Sequence, residues 1–361
     1  MKTPQPLSIA IATLSLLATL AAAADNPPHN DYVLVATDGE LPNNSVTQQL
    51  VTVQAGTARA IEDARVMTLF GTNGTEAGII EPLDTGDLLT LVDLHDLSHV
   101  TKIPVVGART VPIHTSPNQS LIISDAAIFF TGVVPARNAN LSTGANKLIR
   151  LDRKTHQTTA FEIPRSKSNL WNANISRAGN HIVFPTGQSL EIFSIQQNAF
   201  IASVPCKEES VPFVYIDGTG IFQCGPAGID QVSTADFKTP EKPRHVDVRG
   251  KIRYALPTQL PDGPAILCLG SAIDNAGNYI DGKVSLAAFS VTAGKLLYQL
   301  DIPGSLSPPV VAADGHTLYL CDFDKLTIRK FSTATGASIG DDVLPEKIRK
   351  PGMFWLIGVA Q

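Results

Sequence analysis

The chain has 361 residues and a net charge of −5, from 28 basic and 33 acidic side chains. An apolar content of 43% excludes global disorder, and the slight acidic excess argues against binding to nucleic acid. Charged residues make up only 17% of the chain, while 27 Gly and 25 Pro are typical of many short strands joined by turns. This length fits one large all-β domain or two smaller ones.

The first 24 residues are predicted to be a secretory signal peptide. Lys2 provides a positive start, and Leu7–Leu20 is apolar except for small hydroxyl residues. The small residues of Ala21–Ala24 then form a cleavage site before Asp25. We expect a secreted mature chain, extracellular or in the secretory pathway, or periplasmic in a bacterium. An uncleaved anchor is the alternative, and no later apolar run reaches the ~18 residues of a membrane span.

Two further features favour export into an oxidising compartment. Five Asn-x-Ser/Thr sequons exceed the roughly two expected by chance and predict a glycoprotein. The sequons begin at Asn43, Asn73, Asn118, Asn140 and Asn174. The cysteines are even in number and lack zinc-site spacing, so disulfides are favoured over a metal site. They are Cys206, Cys224, Cys268 and Cys321.

One strand pattern recurs seven times along the mature chain. Each copy is a short alternating run that ends in a polar residue before a turn. The copies are residues 50–54, 89–93, 148–152, 190–194, 229–233, 286–290 and 327–332. Between their final residues the spacings are 39, 59, 42, 39, 57 and 42. Four spacings fit one four-stranded propeller blade, and two fit a blade with a ~15-residue insertion, so the pattern predicts seven blades.

The last repeat shows the whole predicted unit. Pro309–Ala313 is the first strand, and Asp314-Gly315 forms a tight hairpin turn. Thr317–Cys321 is the second strand and Leu326–Ser332 the third. Residues 337–343 form the outermost strand, and earlier copies follow the same order.

Two segments carry a resemblance to a known fold group. Phe289–Lys295 (FSVTAGK) and Ala313–Leu320 (ADGHTLYL) are similar to repeats of the YVTN-repeat and quinoprotein amine dehydrogenase β-chain-like group. The resemblance covers most of the mature chain and implies an all-β, seven-bladed β-propeller. These motifs mark a fold and not an activity.

The chain ends are predicted to close the ring. Tyr32–Ala36 has the character of a second strand without a first, and Met353–Ala360 that of a first strand without successors. Pairing these two segments would leave no open seam. We therefore expect residues 25–361 to form a single seven-bladed domain, with two packed domains as the alternative.

Two long insertions are predicted at one end of the ring. Thr131–Asn146 and Ser271–Gly282 both lie between a second and a third strand, at the end where the first strands begin. We call this end the axial mouth. Two insertions at the same end favour a lid that covers a ligand site. The alternative is that both are loop insertions that the fold simply tolerates. Asp274–Asp281 is rich in oxygen donors but lacks EF-hand spacing, so it is interpreted as a plain turn and no metal is expected.

Several side chains are expected at the axial mouth because they precede or begin first strands. They are Arg65, Arg109, Trp171, Asn172, Glu209, Arg253, Tyr254, Phe354 and Trp355. Guanidinium groups there can clamp a carboxylate or enolate bidentately, and tryptophans suit an aromatic ligand. In the alternative, the arginines pair with Glu62, Asp63 or Glu209, and the tryptophans pack between blades.

Disulfide connectivity is only weakly constrained by the sequence. Cys206 is predicted to end an outer strand and Cys224 a second strand, both on the same face of the ring. This arrangement favours a Cys206–Cys224 pair, which leaves Cys268–Cys321 by elimination. Four cysteines allow three connectivities, and the sequence does not choose securely among them.

The resemblance implies two functions of different kinds. Hydrolase-elbow, zincin, Walker and Rossmann motifs are absent from the sequence. Related propellers include lactonases and cyclising enzymes, which implies a secreted, cofactor-free monomer of secondary metabolism that binds a small organic molecule in an axial pocket. Cyclisation of the hetero-Diels–Alder type, isomerisation or a lactone reaction would then use Arg109, Arg253 and Tyr254. The alternative is a non-catalytic propeller that binds a protein, a glycan or a partner subunit.

Overall fold

The computed structural model describes residues 31–38, 47–64, 69–83, 86–110, 121–134, 147–164, 176–178, 180–186, 189–206, 212–226, 228–304, 307–322, 325, 327–345, 348 and 353–360. These residues form 28 strands, numbered here in chain order. The first fourteen are β1 (Tyr32–Asp38), β2 (Thr47–Gln54), β3 (Thr57–Ala64), β4 (Leu69–Thr72), β5 (Glu76–Leu83), β6 (Gly86–Asp93), β7 (Val100–Val105), β8 (Ile122–Ile123), β9 (Ala127–Gly132), β10 (Lys147–Asp152), β11 (Thr158–Glu162), β12 (Ser176–Ala178), β13 (His181–Pro185) and β14 (Ser189–Ser194). The others are β15 (Ala199–Pro205), β16 (Phe213–Ile216), β17 (Gly220–Gly225), β18 (Gly228–Gln231), β19 (His245–Val246), β20 (Lys251–Leu260), β21 (Gly263–Ile273), β22 (Tyr279–Ser290), β23 (Lys295–Pro303), β24 (Val310–Val311), β25 (Thr317–Asp322), β26 (Thr327–Ser332), β27 (Ser338–Val343) and β28 (Met353–Val359).

The strands form seven antiparallel sheets of four strands each, which are the blades. Blade 1 has the order β28-β1-β2-β3, and blades 2 to 7 take β4–β7, β8–β11, β12–β15, β16–β19, β20–β23 and β24–β27 in chain order. The seven repeated segments of the sequence lie in β2, β6, β10, β14, β18, β22 and β26, the third strands of the blades. The prediction of seven blades is therefore confirmed.

Seven hydrophobic clusters join the blades into a closed ring. Each cluster draws its buried side chains from two neighbouring sheets, so every blade is covered on both faces. The cluster between blades 7 and 1 contains Tyr319 and Leu34, which closes the circle. Strand β28 pairs antiparallel with β1, with Phe354 opposite Ala36. This confirms the predicted closure by the C-terminal strand.

Burial along the strands follows from this stacking. The second and third strands of a blade are buried on both faces, and β9 (AIFFTG) and β14 (SLEIFS) are buried at every residue. Outer strands have one solvated face, so β7 and β15 are partly exposed. Continuous apolar runs in a central strand and mixed patterns at an edge are the expected result. Among the described residues, no helix is long and apolar enough to cross a membrane.

One predicted loop is instead an extended hairpin. Residues Ser271–Ile273 continue β21, residues Tyr279–Gly282 begin β22, and Ile273 pairs with Tyr279. Only the turn between these strands is free of the sheet. There the Asp274 carboxylate accepts the backbone N–H groups of Ala276 and Asn278, at 2.8 and 2.9 Å. The second insertion therefore lengthens blade 6 at the axial mouth, which corrects the expectation of a loop lid.

Candidate functional site

The axial mouth is built from the starts of the first strands and the connections that lead into them. The first strands of neighbouring blades contact one another: β16 contacts β20, and β28 contacts β4. Phe354 and Trp355 lie on β28, opposite Ala36 and Val35, and only their backbone is described. Four other predicted residues fall outside the described ranges: Arg65, Trp171, Asn172 and Glu209.

Arg109 is held at the mouth between blades 2 and 3. Its backbone forms an isolated antiparallel bridge with Val133, which follows β9. Its guanidinium lies 3.4 Å (Nε to Oδ1) from Asp87, and its Nη2 donates to the carbonyl of Leu83. These contacts join the connection into blade 3 to the turn between β5 and β6. The guanidinium is thus already occupied by protein acceptors.

Asp87 is a buried carboxylate that sequence reasoning missed. The Thr110 hydroxyl donates to its Oδ2 at 2.8 Å, and the Thr110 N–H donates to the same oxygen. Burial raises the pKa of Asp87 above its ordinary 3.8, while the bonds from Thr110 and the charge of Arg109 act in the opposite direction. The sequence did indicate this burial. Side chains alternate between the two faces of a strand, so Asp87 lies on the same face as the core residues Leu89 and Leu91.

Arg253 is exposed at a bulge in the first strand of blade 6. Ile252 pairs with Gly270 and Tyr254 pairs with Leu269, so Arg253 is the extra residue without a partner on β21. Bulges re-aim the side chain that they carry. Arg253 is exposed, and among the described residues it has no hydrogen-bonding or ionic partner. The guanidinium of Arg109, in contrast, is bound by Asp87 and the Leu83 carbonyl.

Tyr254 is half-buried beside this arginine. Its ring packs against the cluster between blades 6 and 7, which includes Leu267 and Leu286. Burial raises the pKa of the Tyr254 phenol, and the positive charge of Arg253 partly offsets that rise. The phenol therefore remains a neutral hydrogen-bond donor at physiological pH, next to a fixed positive charge.

Arg249 forms polar contacts in the connection that leads into blade 6. Arg249 Nη2 lies 3.3 Å from Asp301 Oδ2, and the Arg249 N–H donates to Gln299 Oε1 at 3.1 Å. Beside it is a shallow crevice without room for a water molecule, lined by Val248, Arg249, Gly250, Ile252, Cys268, Gly270, Ser285 and Ala287. Pockets for small ligands usually have ~300–1,000 Å³. The crevice is too small for an organic substrate.

The cysteines are placed differently from the expected pairs. None of the four, all of which are described, forms a disulfide in the structure. Cys206 packs against the cluster between blades 4 and 5, whereas Cys224 lies in the cluster between blades 5 and 6. The sheet of blade 5 therefore separates the members of the predicted Cys206–Cys224 pair. Cys321 lies between blades 7 and 1, remote from Cys268 between blades 5 and 6, so Cys268–Cys321 is not formed either.

The sequons are described at one position only. Asn73 lies in the turn between β4 and β5, where its Oδ1 accepts the N–H groups of Thr75 and Glu76 at 3.0 and 2.7 Å. Its glycosylation stays a prediction, as does use of the other sequons. The leader and the sequons at Asn43, Asn118, Asn140 and Asn174 are outside the described residues. Within the described ranges, no group of three or more His, Cys, Asp or Glu side chains is arranged to hold a metal ion.

Solved structures with the same architecture span nearly the whole chain. A functionally unknown protein from Desulfotomaculum acetoxidans has a TM-score of 0.53 at 10% identity, covering 91% of this chain and 99% of its own. A candidate 6-phosphogluconolactonase from Bacteroides uniformis has a TM-score of 0.52 at 12% identity, with coverage of 91% and 99%. A second such protein, from Bacteroides fragilis, has a TM-score of 0.51 at 12% identity, with coverage of 92% and 100%.

These similarities define the class of fold. The chain is a seven-bladed β-propeller, as its resemblance to the YVTN-repeat and quinoprotein amine dehydrogenase β-chain-like group implies. At 10–12% identity the likeness shows the fold alone. No protein-family model matches the chain, and no curated protein matches it in sequence.

Proposed function

We propose that this protein is a secreted enzyme that acts on a small organic molecule bound at the axial mouth. The observation that carries the proposal is the exposed guanidinium of Arg253, which a bulge in an innermost strand presents without a partner among the described residues. An exposed arginine at the convergence of several strands is a typical recognition group for a ligand.

The chemistry of this group selects a class of substrate. A guanidinium donates two parallel hydrogen bonds to a carboxylate or an enolate, and it polarises the carbonyl of a lactone or an enone. Tyr254 adds a neutral donor beside the charge. The reactions that such a site favours are cyclisation, isomerisation and lactone chemistry, which need orientation and stabilisation of negative charge on oxygen. No step of the proposal uses a cofactor.

Arg109 has a supporting role in this proposal. Its guanidinium is bound by Asp87 and by the Leu83 carbonyl, so it orders the mouth between blades 2 and 3. Arg253 is the residue proposed to contact substrate directly. This division separates the two arginines that the sequence treats as equivalent, and mutation of each should have a different signature.

A ligand screen with matched variants tests the proposal. Carboxylates, lactones, enones and polyketide- or terpenoid-like compounds are added to wild type, Arg253→Ala and Arg59→Ala, and the melting temperature is measured. Arg59 is exposed on the outer strand β3, so its variant has the same loss of charge away from the mouth. The proposal expects a compound that stabilises wild type and Arg59→Ala but not Arg253→Ala, and that is turned over. No stabilising compound, or equal stabilisation of all three proteins, contradicts it.

One observation favours a second candidate function, a propeller that binds a protein partner. The outer strands of blades 6 and 7 expose apolar side chains, including Leu297, Leu300, Ile339 and Val343. Exposed apolar groups gathered on neighbouring elements are typical of binding surfaces. Light scattering on the purified secreted chain distinguishes the two functions. A monomer that retains ligand-dependent stabilisation supports the enzyme, and a stable complex with a copurifying partner supports the binding protein.

A further inference from the structure

The connection into blade 6 carries three basic side chains within five residues. Arg249, Lys251 and Arg253 occupy alternate positions, and residues 248–254 contain no acidic side chain. All three basic residues are exposed, in a chain whose net charge is −5. Positive charge is therefore concentrated where the chain enters the first strand of this blade, at the axial mouth.

Polar contacts from β22 and β23 fix the backbone of this connection. The Arg249 N–H donates to Gln299 Oε1 at 3.1 Å, and the Arg249 carbonyl accepts the Ser285 hydroxyl at 3.2 Å and the side-chain amide of Gln299. Gly250 has a φ of +120°, and a Cβ at this position would lie 2.9 Å from the carbonyl oxygen of Ser271. Glycine is required for this approach, so the entry into β20 is held in one defined conformation.

The pairing of β20 with β21 then places two of the basic residues. Lys251 pairs with Ser271 at the start of β20, and Arg253 is the extra residue of the bulge two positions further on. Successive residues of a strand are ~3.3 Å apart along its axis, so the two backbone positions are separated by roughly 6–7 Å. Two cations that start from separate positions are suited to two separate acidic groups of one molecule.

Arg249 has a different role from the other two. Its Nη2 lies 3.3 Å from Asp301 Oδ2, so its charge is balanced within the protein. Together with its backbone contacts, this ion pair orders the connection that leads to Lys251. Lys251 and Arg253 are the two cations that we assign to a ligand.

We propose that the ligand of the axial mouth is a dicarboxylic compound, with one acid group bound by Arg253 and the other by Lys251. This inference rests on the proposed function, in which Arg253 contacts the ligand. The planar guanidinium of Arg253 donates two parallel hydrogen bonds to one carboxylate. The compact ammonium group of Lys251 binds the second carboxylate as a point charge. A phosphate ester carries its two charges on one group and fits this spacing less well.

Matched ligands test the number of acid groups. Glutarate and adipate are compared with their monomethyl esters, which keep the carbon chain and lose one charge, and with butyl phosphate. Binding to the full chain is measured by titration calorimetry at about 20 mM salt, because exposed charges are screened at higher ionic strength. Wild type should bind at least one diacid roughly fivefold more tightly than its ester, which is the contribution of one exposed ion pair. Butyl phosphate should bind less tightly than that diacid.

Variants of Lys251 assign the second acid group to this residue. Lys251→Gln should lower the affinity for the diacid to that for the ester, and should leave the ester within about twofold of its wild-type affinity. Lys251→Glu should weaken binding of the diacid below that of the ester. Lys295→Gln is the control, because Lys295 is exposed at the opposite end of blade 6, where β23 begins. It should bind every compound as wild type does.

The outcomes separate this inference from the proposed function. Equal affinity of wild type for diacid and ester, an unchanged diacid affinity in Lys251→Gln, or equally tight binding of butyl phosphate overturns the dicarboxylic class. If Arg253→Ala still weakens both diacid and ester in that case, the role of Arg253 in ligand binding stands. Absence of binding by all five compounds also overturns the dicarboxylic class, and the wider ligand screen then decides the proposed function.

Discussion

The carbonyl oxygen of Lys251 lies only 2.2 Å from the position that a Cβ would occupy on Gly270. This close approach occurs where β20 and β21 pair on either side of the bulge at Arg253. Only glycine lets the two backbones meet so closely. The presentation of Arg253 therefore depends on a residue of the neighbouring strand.

Gly270→Ala is expected to displace the start of β20. The added methyl group meets the Lys251 backbone, which must shift, and overpacking of this kind costs about 1–3 kcal/mol. The same shift should move Arg253 and remove ligand-dependent stabilisation. Gly294→Ala is the control, because its Cβ would meet nothing within 4 Å and its positive φ alone accounts for its cost. Both variants are measured by thermal denaturation with and without ligand. Ligand-dependent stabilisation of both variants would contradict this prediction.

Asp87→Ala is expected to destabilise the fold rather than to change chemistry. It leaves the buried Thr110 hydroxyl and N–H, and the Arg109 guanidinium, without their shared acceptor. Unsatisfied buried donors cost about 1–3 kcal/mol each. Urea unfolding measures the loss, and Arg109→Ala should show a related loss. Wild-type stability in Asp87→Ala would rule out a structural role for the Arg109–Asp87 pair.

The pH dependence of stability carries a signature of Asp87. Its folded pKa is raised above 3.8, so folding favours the protonated form. Its contribution to stability is fully present below about pH 3.8 and decreases as pH rises through the folded pKa. Asp87→Asn should remove this decrease, so urea midpoints of wild type and variant should converge toward low pH. Parallel curves across this range would show that Asp87 titrates at its ordinary value.

His245 should titrate above its ordinary pKa of 6.5. Its Nδ1 lies 2.7 Å from Asp230, and its Nε2 lies 3.1 Å from Asp247. The hydrogen bonds to Asp230 and then Asp247 raise the pKa by favouring the imidazolium. The resulting stabilisation is present below pH 6.5 and is lost as pH rises through the folded pKa. NMR titration of Asp230→Asn should show a lower His245 pKa than in wild type, and an unchanged value would refute this assignment.

Because β28 closes the ring, truncation of one buried side chain on this strand is expected to lower the free energy of unfolding substantially. Leu356 is 1% exposed in the cluster between blades 7 and 1, so Leu356→Ala should cost about 2–5 kcal/mol. Val343, 62% exposed on the outer strand of blade 7, is the control, and Val343→Ala should stay within about 0.5 kcal/mol. Equal urea midpoints for the two variants would mean that β28 does not hold the ring closed.

The architecture could be predicted because one strand pattern recurs in every blade, and its spacing along the chain gives the number of blades. The third strands recur at the spacing of one blade. The segments that form β1 and β28 each lack neighbouring strands of their own, so their backbone groups could pair only with each other. Extension of β21 and β22 toward Tyr279 could not be seen, since only Ala272 is buried in the extended part and no apolar period marks it. Its Gly- and Asn-rich composition is that of a loop.

The candidate site was predictable only in part. Placement of Arg253 before a first strand follows from the repeat, but the bulge that exposes it depends on pairing with Gly270 in the next strand. Cys206 follows the outer strand of blade 4 and Cys224 lies on the second strand of blade 5, yet the sheet of blade 5 separates the clusters in which they pack. Strand parity indicates which residues share a face, and packing decides which neighbouring blade covers that face.

The central claim is that Arg253 binds the ligand, and a dissociation constant tests it most directly. Titration calorimetry with a compound that stabilises wild type is performed on wild type, Arg253→Ala and Arg59→Ala. Hydrogen bonds to charged groups contribute about 1.5–3 kcal/mol, so Arg253→Ala should weaken binding by roughly 10–150-fold. Arg59→Ala should stay within about twofold of wild type. Equal affinity of wild type and Arg253→Ala would contradict the proposed site.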